Sequence, residues 1–79
     1  MKELVVSMAQ GLVDYPDQME VTETRDKGIV DLVLKVVPDD MGKAIGKRGS
    51  IANSMRQILK ACAIKENVKV NLEIRAIDE

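Results

Sequence analysis

Ile45-Gly46-Lys47-Arg48-Gly49-Ser50 is the stretch on which the reading of this sequence turns: a Gly-x-x-Gly loop with two cations at its tip, set between a short predicted helix and a long one. Glycines at both ends let the backbone turn sharply and lie close to a ligand, since no Cβ blocks the approach or forbids positive φ. Ser50 reads as the N-cap of the helix that follows, which would gather orphan amide N–H groups and the positive end of the helix dipole beside Lys47 and Arg48. The combination points at an anion, and a sugar-phosphate backbone suits it. A bare G-x-x-G also occurs in plain turns between helices, so the surroundings of the loop carry the argument.

Those surroundings are electrically lopsided. The chain of 79 residues has a net charge of only −1, which by itself argues against a polyanionic partner. Yet residues 41–65 hold six cations (Lys43, Lys47, Arg48, Arg56, Lys60, Lys65) and no acid, whereas the rest of the chain sets six cations against thirteen acids, a net −7. Segregation of this size around one loop is the electrostatic footprint of a surface that receives anions. A merely solvated helix face would scatter Lys and Arg without excluding Asp and Glu.

Length and composition set the frame. Residues 1–79 read as one small domain, too short for a catalytic domain and a binding domain together. With 46% hydrophobic and 32% charged residues, the composition is that of a globular protein rather than a disordered one. No apolar run approaches the roughly 18 to 20 residues of a membrane span, and no signal-peptide pattern opens the chain, so a cytoplasmic location is expected. The single cysteine, Cys62, agrees with a reducing compartment.

Outward from the loop, apolar periodicity assigns the elements. Leu4, Val5, Met8, Ala9, Leu12 and Val13 form a stripe at helical spacing over residues 2–14, with Pro16 as the expected stop. Residues 19–24 and 29–37 read as two strands joined by a turn of Arg25, Asp26, Lys27 and Gly28, hence an antiparallel hairpin. Asp39 or Asp40 can cap a helix of little more than one turn ending at Gly46. Ile51, Ala52, Met55, Ile58, Leu59 and Cys62 mark the inner stripe of the long helix, which makes Cys62 a core residue rather than a nucleophile. Val68, Val70, Leu72, Ile74 and Ala76 alternate with Lys69, Asn71, Glu73 and Arg75 in a last strand wet on one face. The order helix, strand, strand, helix, helix, strand predicts a two-layer α+β fold: a three-stranded mixed sheet with three helices on one face. Counting each helix as a reversal predicts a last strand parallel to the first and antiparallel to the second.

Several chemistries fall away. With no His, one stripe-facing Cys and carboxylates scattered over strands and turns, neither an imidazole base nor a metal cluster is available, and no enzyme or cofactor is expected. A nucleotide-triphosphate loop needs four residues between its glycines and a hydroxyl after the lysine; Gly42 and Gly46 are separated by three, and Arg48 follows Lys47. A dinucleotide fingerprint would follow a strand, not a helix. Base stacking on a sheet surface is excluded with no Phe, no Trp and one Tyr, which leaves a glycine loop clamping a single-stranded backbone while aliphatic side chains receive bases.

At this point a family resemblance becomes specific. Ala44-Ile45-Gly46-Lys47-Arg48-Gly49, followed by Ile51, Ala52 and Met55 on one helix face, resembles the [VI]-I-G-x-x-G motif and following helix of K-homology (KH) domains, and the order α-β-β-α-α-β resembles their type II arrangement. With Met41-Gly42-Lys43 leading in, residues 2–77 are similar to the small stand-alone bacterial KH proteins of the KhpA (YlqC) family. Ala44 departs from the larger aliphatic common at its position. The resemblance implies a non-catalytic binder of single-stranded RNA, an RNA chaperone or post-transcriptional regulator, acting as a homodimer or with a second KH protein, KhpB, and not at a membrane. It also implies a clamp of Gly46, Lys47, Arg48 and Gly49 and a base groove drawn from Ile45, Ile51, Ala52 and Met55 beside an edge strand. Lys43, Ser50 and Arg56 complete the expected RNA-binding set. A second reading, a protein-interaction module whose loop does not meet RNA, stays open; short RNA perturbing residues 43–56 before any protein partner is added would separate the two.

Overall fold

The structure, a computed structural model, describes residues 1–78. It contains helix α1 (Lys2–Gln10), strands β1 (Glu20–Asp26) and β2 (Ile29–Val36), helices α2 (Met41–Ile45) and α3 (Ser50–Glu66), and strand β3 (Lys69–Ala76), with single 3₁₀ turns at Pro16–Gln18, Pro38–Asp40 and Lys47–Gly49. The α+β expectation holds: a three-stranded mixed sheet buries one face under the helices.

The hairpin is tighter than its sequence reads. Arg25 and Asp26 belong to β1, and Asp26 pairs with Ile29, so the turn is Lys27-Gly28 alone. Both have positive φ (50° and 77°), the requirement of the two-residue turn whose twist matches its flanking strands.

The strand directions correct the expectation. The sheet order is β1-β2-β3, with β3 parallel to β2 and therefore antiparallel to β1. The reason lies in α2: its five residues span only about 7 Å at 1.5 Å per residue. That is too short to cross the sheet. Only α3, at 17 residues and about 25 Å, makes a return pass, so β3 starts again in the direction of β2.

Val30, Leu32, Leu34 and Val36 on central β2 are each no more than 1% exposed and form the floor of the core. Val5, Ala9 and Val13 cover it from the first segment, although α1 itself ends before Gly11, short of the expected boundary; Leu12 and Val13 continue as one further turn, both donating to the Ala9 carbonyl. From α3 the buried side chains are Ala52, Met55, Leu59 and Ala63. Ile58 is 46% exposed and Cys62 only half-buried. The seam is narrower than the sequence stripe because α3 lays about one residue per turn on the sheet.

Asp40 is the one buried charged side chain among the described residues. It stands at the start of α2 but makes no side-chain cap there. Its two carboxylate oxygens instead accept the amide N–H groups of Asp14 and Tyr15, each at 3.0 Å, while Lys43 of α2 pairs with the Asp14 carboxylate. The exit of α1 is thereby bound to α2, the element that carries the glycine loop.

Candidate nucleic-acid interface

The loop between α2 and α3 is built from backbone that side chains disfavour. Gly46 has φ 77° and ψ 176°, a region reserved almost wholly for glycine. Arg48 (φ 55°, ψ 28°) and Gly49 (φ 74°, ψ 14°) follow in the left-handed region. Two successive left-handed residues throw the chain outward and deliver it into α3.

Capping differs from the sequence reading. The residue flanking α3 is Gly49; Ser50 is already helical, and no side chain caps the start. The Ser50 carbonyl accepts the Ser54 hydroxyl at 2.9 Å. Amides near the loop are partly spent as well, that of Gly49 on the Gly46 carbonyl (3.2 Å) and that of Ser50 on the Lys47 carbonyl. What the tip offers is chiefly charge: Lys47 and Arg48 are exposed and make no ion pair among the described residues.

The other expected site residues divide into four groups. Ile45 and Ile51 are half-buried beside the loop, and Ile51 packs directly under Gly46. Ala52 and Met55, each 3% exposed, face the core with Ala44; neither presents surface to a base, which corrects their expected place in the groove. The small Ala44 is accommodated by burial, at 1% exposure. Lys43 is engaged elsewhere: its hydrogen bond from the ammonium to Asp14 outweighs desolvation and, with the carboxylate charges of Asp14 and Asp40, holds it above the usual lysine range.

Arg56 does lie at a groove, though not as a loose cation. Its Nε and Nη2 both donate to the Leu72 carbonyl of β3 (3.3 and 3.2 Å), and Nη1 reaches Asn53 Oδ1 (3.4 Å). Beyond this bridge α3 and β3 diverge around a cavity of about 580 Å³. Leu59, Val68 and Leu72 contribute apolar wall, and Arg56, Lys60 and Asn71 contribute polar groups. Among the described residues β3 has a neighbouring strand only on its β2 side, so its other edge leaves main-chain donors and acceptors without a partner strand there. The family resemblance implies a groove beside an edge strand, but which edge was not legible in the sequence, because placing it requires knowing that β3 and not β1 is the edge beside α3. The acid-free run with Arg56 and Lys60 one turn apart was the signal for its α3 side.

Comparison with known proteins agrees with this architecture. A family profile described as the KH domain of KhpA/KhpB matches residues 2–74. The chain is 53% identical over 74 residues to the RNA-binding protein KhpA of Clostridium perfringens and 49% identical over 74 residues to that of Clostridium acetobutylicum, in both cases covering 94% of this chain and 99% of the relative. Among solved structures it is similar, with a TM-score of 0.56 over 95% of its length, to part of Era in a crystal structure with MgGDPNP and nucleotides of 16S ribosomal RNA. That likeness covers 29% of the Era chain at 18% sequence identity, and it bears on the fold alone.

Proposed function

Because the chain belongs to the KhpA/KhpB KH-domain family, a family of binders and not of enzymes, we propose that it binds single-stranded RNA on the Gly46–Gly49 loop and the adjoining α3–β3 groove. The observation that carries this reading is the loop itself: two exposed cations with no ion pair among the described residues, on a loop whose first residue only glycine can form, inside 25 residues without an acid. In this reading Lys47 and Arg48 neutralise phosphates, Ile45 and Ile51 present aliphatic surface next to them, and the open edge of β3 supplies main-chain partners for bases. Arg56 fixes the width between α3 and that edge. Ser50 positions the helix start, and Lys43 contributes field rather than contact.

A KH loop clamps about four nucleotides, which gives few phosphate contacts, and joining two such sites raises avidity by roughly 10²- to 10⁴-fold. Action as a homodimer or beside a KhpB-type partner, in RNA chaperoning or post-transcriptional control, follows from that need. The open sheet face with Val33 and Val37 offers one seam, and α1 another. Sedimentation at high micromolar concentration tests self-association; a monomer there removes the homodimer and leaves the second partnership standing.

The decisive test of RNA binding is Lys47→Asp with Arg48→Asp, read by fluorescence anisotropy on a short single-stranded RNA beside a thermal melt. Both glycines remain, and acids near a helix start interact favourably with its dipole, so stability should stay within about 0.5 kcal/mol. RNA affinity should collapse, since the tip loses four units of charge. Undiminished affinity with an unchanged melt would give first place to a protein-interaction role.

A further inference from the structure

We propose that the nucleic-acid path does not end in the α3–β3 groove but continues around the end of α3 to a second contact on the β1–β2 hairpin, where Lys27 and Lys69 receive backbone phosphate. The proposal rests on the RNA-binding reading and extends its footprint.

Continuity of surface is the first support. Val68 and Lys69 line the α3–β3 groove and also a depression of about 390 Å³ whose other walls include Lys27, Gly28 and Ile29. The two hollows are held in register by a backbone bond, from the Lys69 amide to the Gly28 carbonyl at 2.9 Å. The hairpin tip is a two-residue turn with both residues in the left-handed region.

Charge is the second. Lys60, Lys69 and Lys27 follow one another along this route and make no ion pair among the described residues. The nearby Arg25 is spent on Glu23 and Glu66, which also removes the Glu66 carboxylate as a bare repulsive charge. Of the hairpin's other acids, Glu20 stands at the far end of β1, Asp31 accepts a hydrogen bond from Asn71 Nδ2 at 3.0 Å, and Asp26 lines the neighbouring depression of about 250 Å³ rather than the one shared with Lys69. Ile29, 40% exposed and in register with Lys69 on β3, opens beside the hairpin turn that carries Lys27 and gives an unstacked base an apolar seat. From loop tip to hairpin the route runs the length of α3, about 25 Å at 1.5 Å per residue, more than a loop clamp alone occupies.

The test compares single-stranded RNAs of about 5 and about 12 nucleotides on three proteins: the parent, Lys27→Asn with Lys69→Gln, and Lys47→Asp with Arg48→Asp. Asn tolerates the left-handed φ of position 27, so the first variant keeps the turn. The parent should gain affinity with length beyond the statistical gain of extra registers. The hairpin variant should match the parent on the short RNA, lose most of that gain on the long one, and show a salt slope lower by about 1.4, the value for two single-strand phosphate contacts. In the parent, long but not short RNA should also shift the amide signals of residues 27–29, a readout that needs no variant. Equal length gain and salt slope in parent and hairpin variant, or unmoved signals at 27–29, overturn the proposal while the clamp stands. Parent protein that binds neither RNA overturns the clamp with it.

Discussion

An ideal Cβ built on Gly46 lies 2.7 Å from Cγ1 and 2.9 Å from the amide nitrogen of Ile51, so the first glycine of the loop is fixed by the residue that packs beneath it. Backbone of α3 cannot yield as a flexible side chain would. Both the contact and the angles at position 46 therefore demand glycine, whichever ligand the loop serves.

Gly46→Ala and Gly49→Ala should consequently part company. At Gly49 a Cβ would meet nothing closer than Asn53 Nδ2 at 3.8 Å, leaving only the left-handed penalty of about 1 to 2 kcal/mol. Gly46→Ala adds a steric overlap to a glycine-only conformation and should cost about 1 to 3 kcal/mol more. Urea unfolding of both variants measures the difference; equal losses would mean that the loop relaxes away from Ile51.

Asp40 should prove a larger contributor to stability than its place at the start of a five-residue helix implies. Asp40→Ala strips acceptors from the amides of Asp14 and Tyr15 and unties α1 from α2. Hydrogen bonds to charged groups contribute about 1.5 to 3 kcal/mol, and water can replace part of this at the half-buried amides, so a net loss of about 2 kcal/mol is expected. Asp40→Asn should recover only part of it, because its NH₂ group faces one N–H donor with another. A change within about 0.5 kcal/mol for Asp40→Ala would assign the α1–α2 connection to apolar packing alone.

Much of this fold is legible one residue at a time. The bounds of α2, the alternation of β3 and the apolar floor of β2 follow from local patterning, the first from the flanking Asp40 and Gly46 and the other two from a period of two. What escapes is non-local or metric. The partners of Asp40 lie 25 and 26 residues away, with nothing in the local sequence to join them. The direction of β3 depends on whether five helical residues count as a crossing, a question of ångströms rather than of element order. The loop glycines and tip cations were visible because their chemistry is contiguous in sequence. The edge strand of the groove was not, since α3 meets β3 only after the sheet is assembled, and Ala52 and Met55, whose inward spacing already marks core, are each 3% exposed.

The docking of α1 should carry an acid-dependent component through Glu23. Met1 flanks the start of α1 without a side-chain cap; Glu23 of β1 supplies the missing acceptor, with Oε1 taking the Lys2 amide at 3.0 Å while Oε2 meets Arg25 Nε at 3.2 Å. Burial pushes the Glu23 carboxyl up, but the hydrogen bonds from Arg25 and the Lys2 amide and the charges of the amino terminus and Arg25 outweigh it, leaving the group below its ordinary value of 4.5. A carboxyl lowered on folding stabilises the native state above its unfolded value and ceases to do so as pH falls through the lowered folded value. The parent should therefore exceed Glu23→Gln in unfolding free energy at pH 7, and the gap should narrow only below about 4.5. Comparing the two proteins cancels the titration of the other carboxylates. Denaturant unfolding from pH 7 to about 3 reads the gap directly, and a gap that stays constant across that range would mean that Glu23 holds α1 by shape and not by charge.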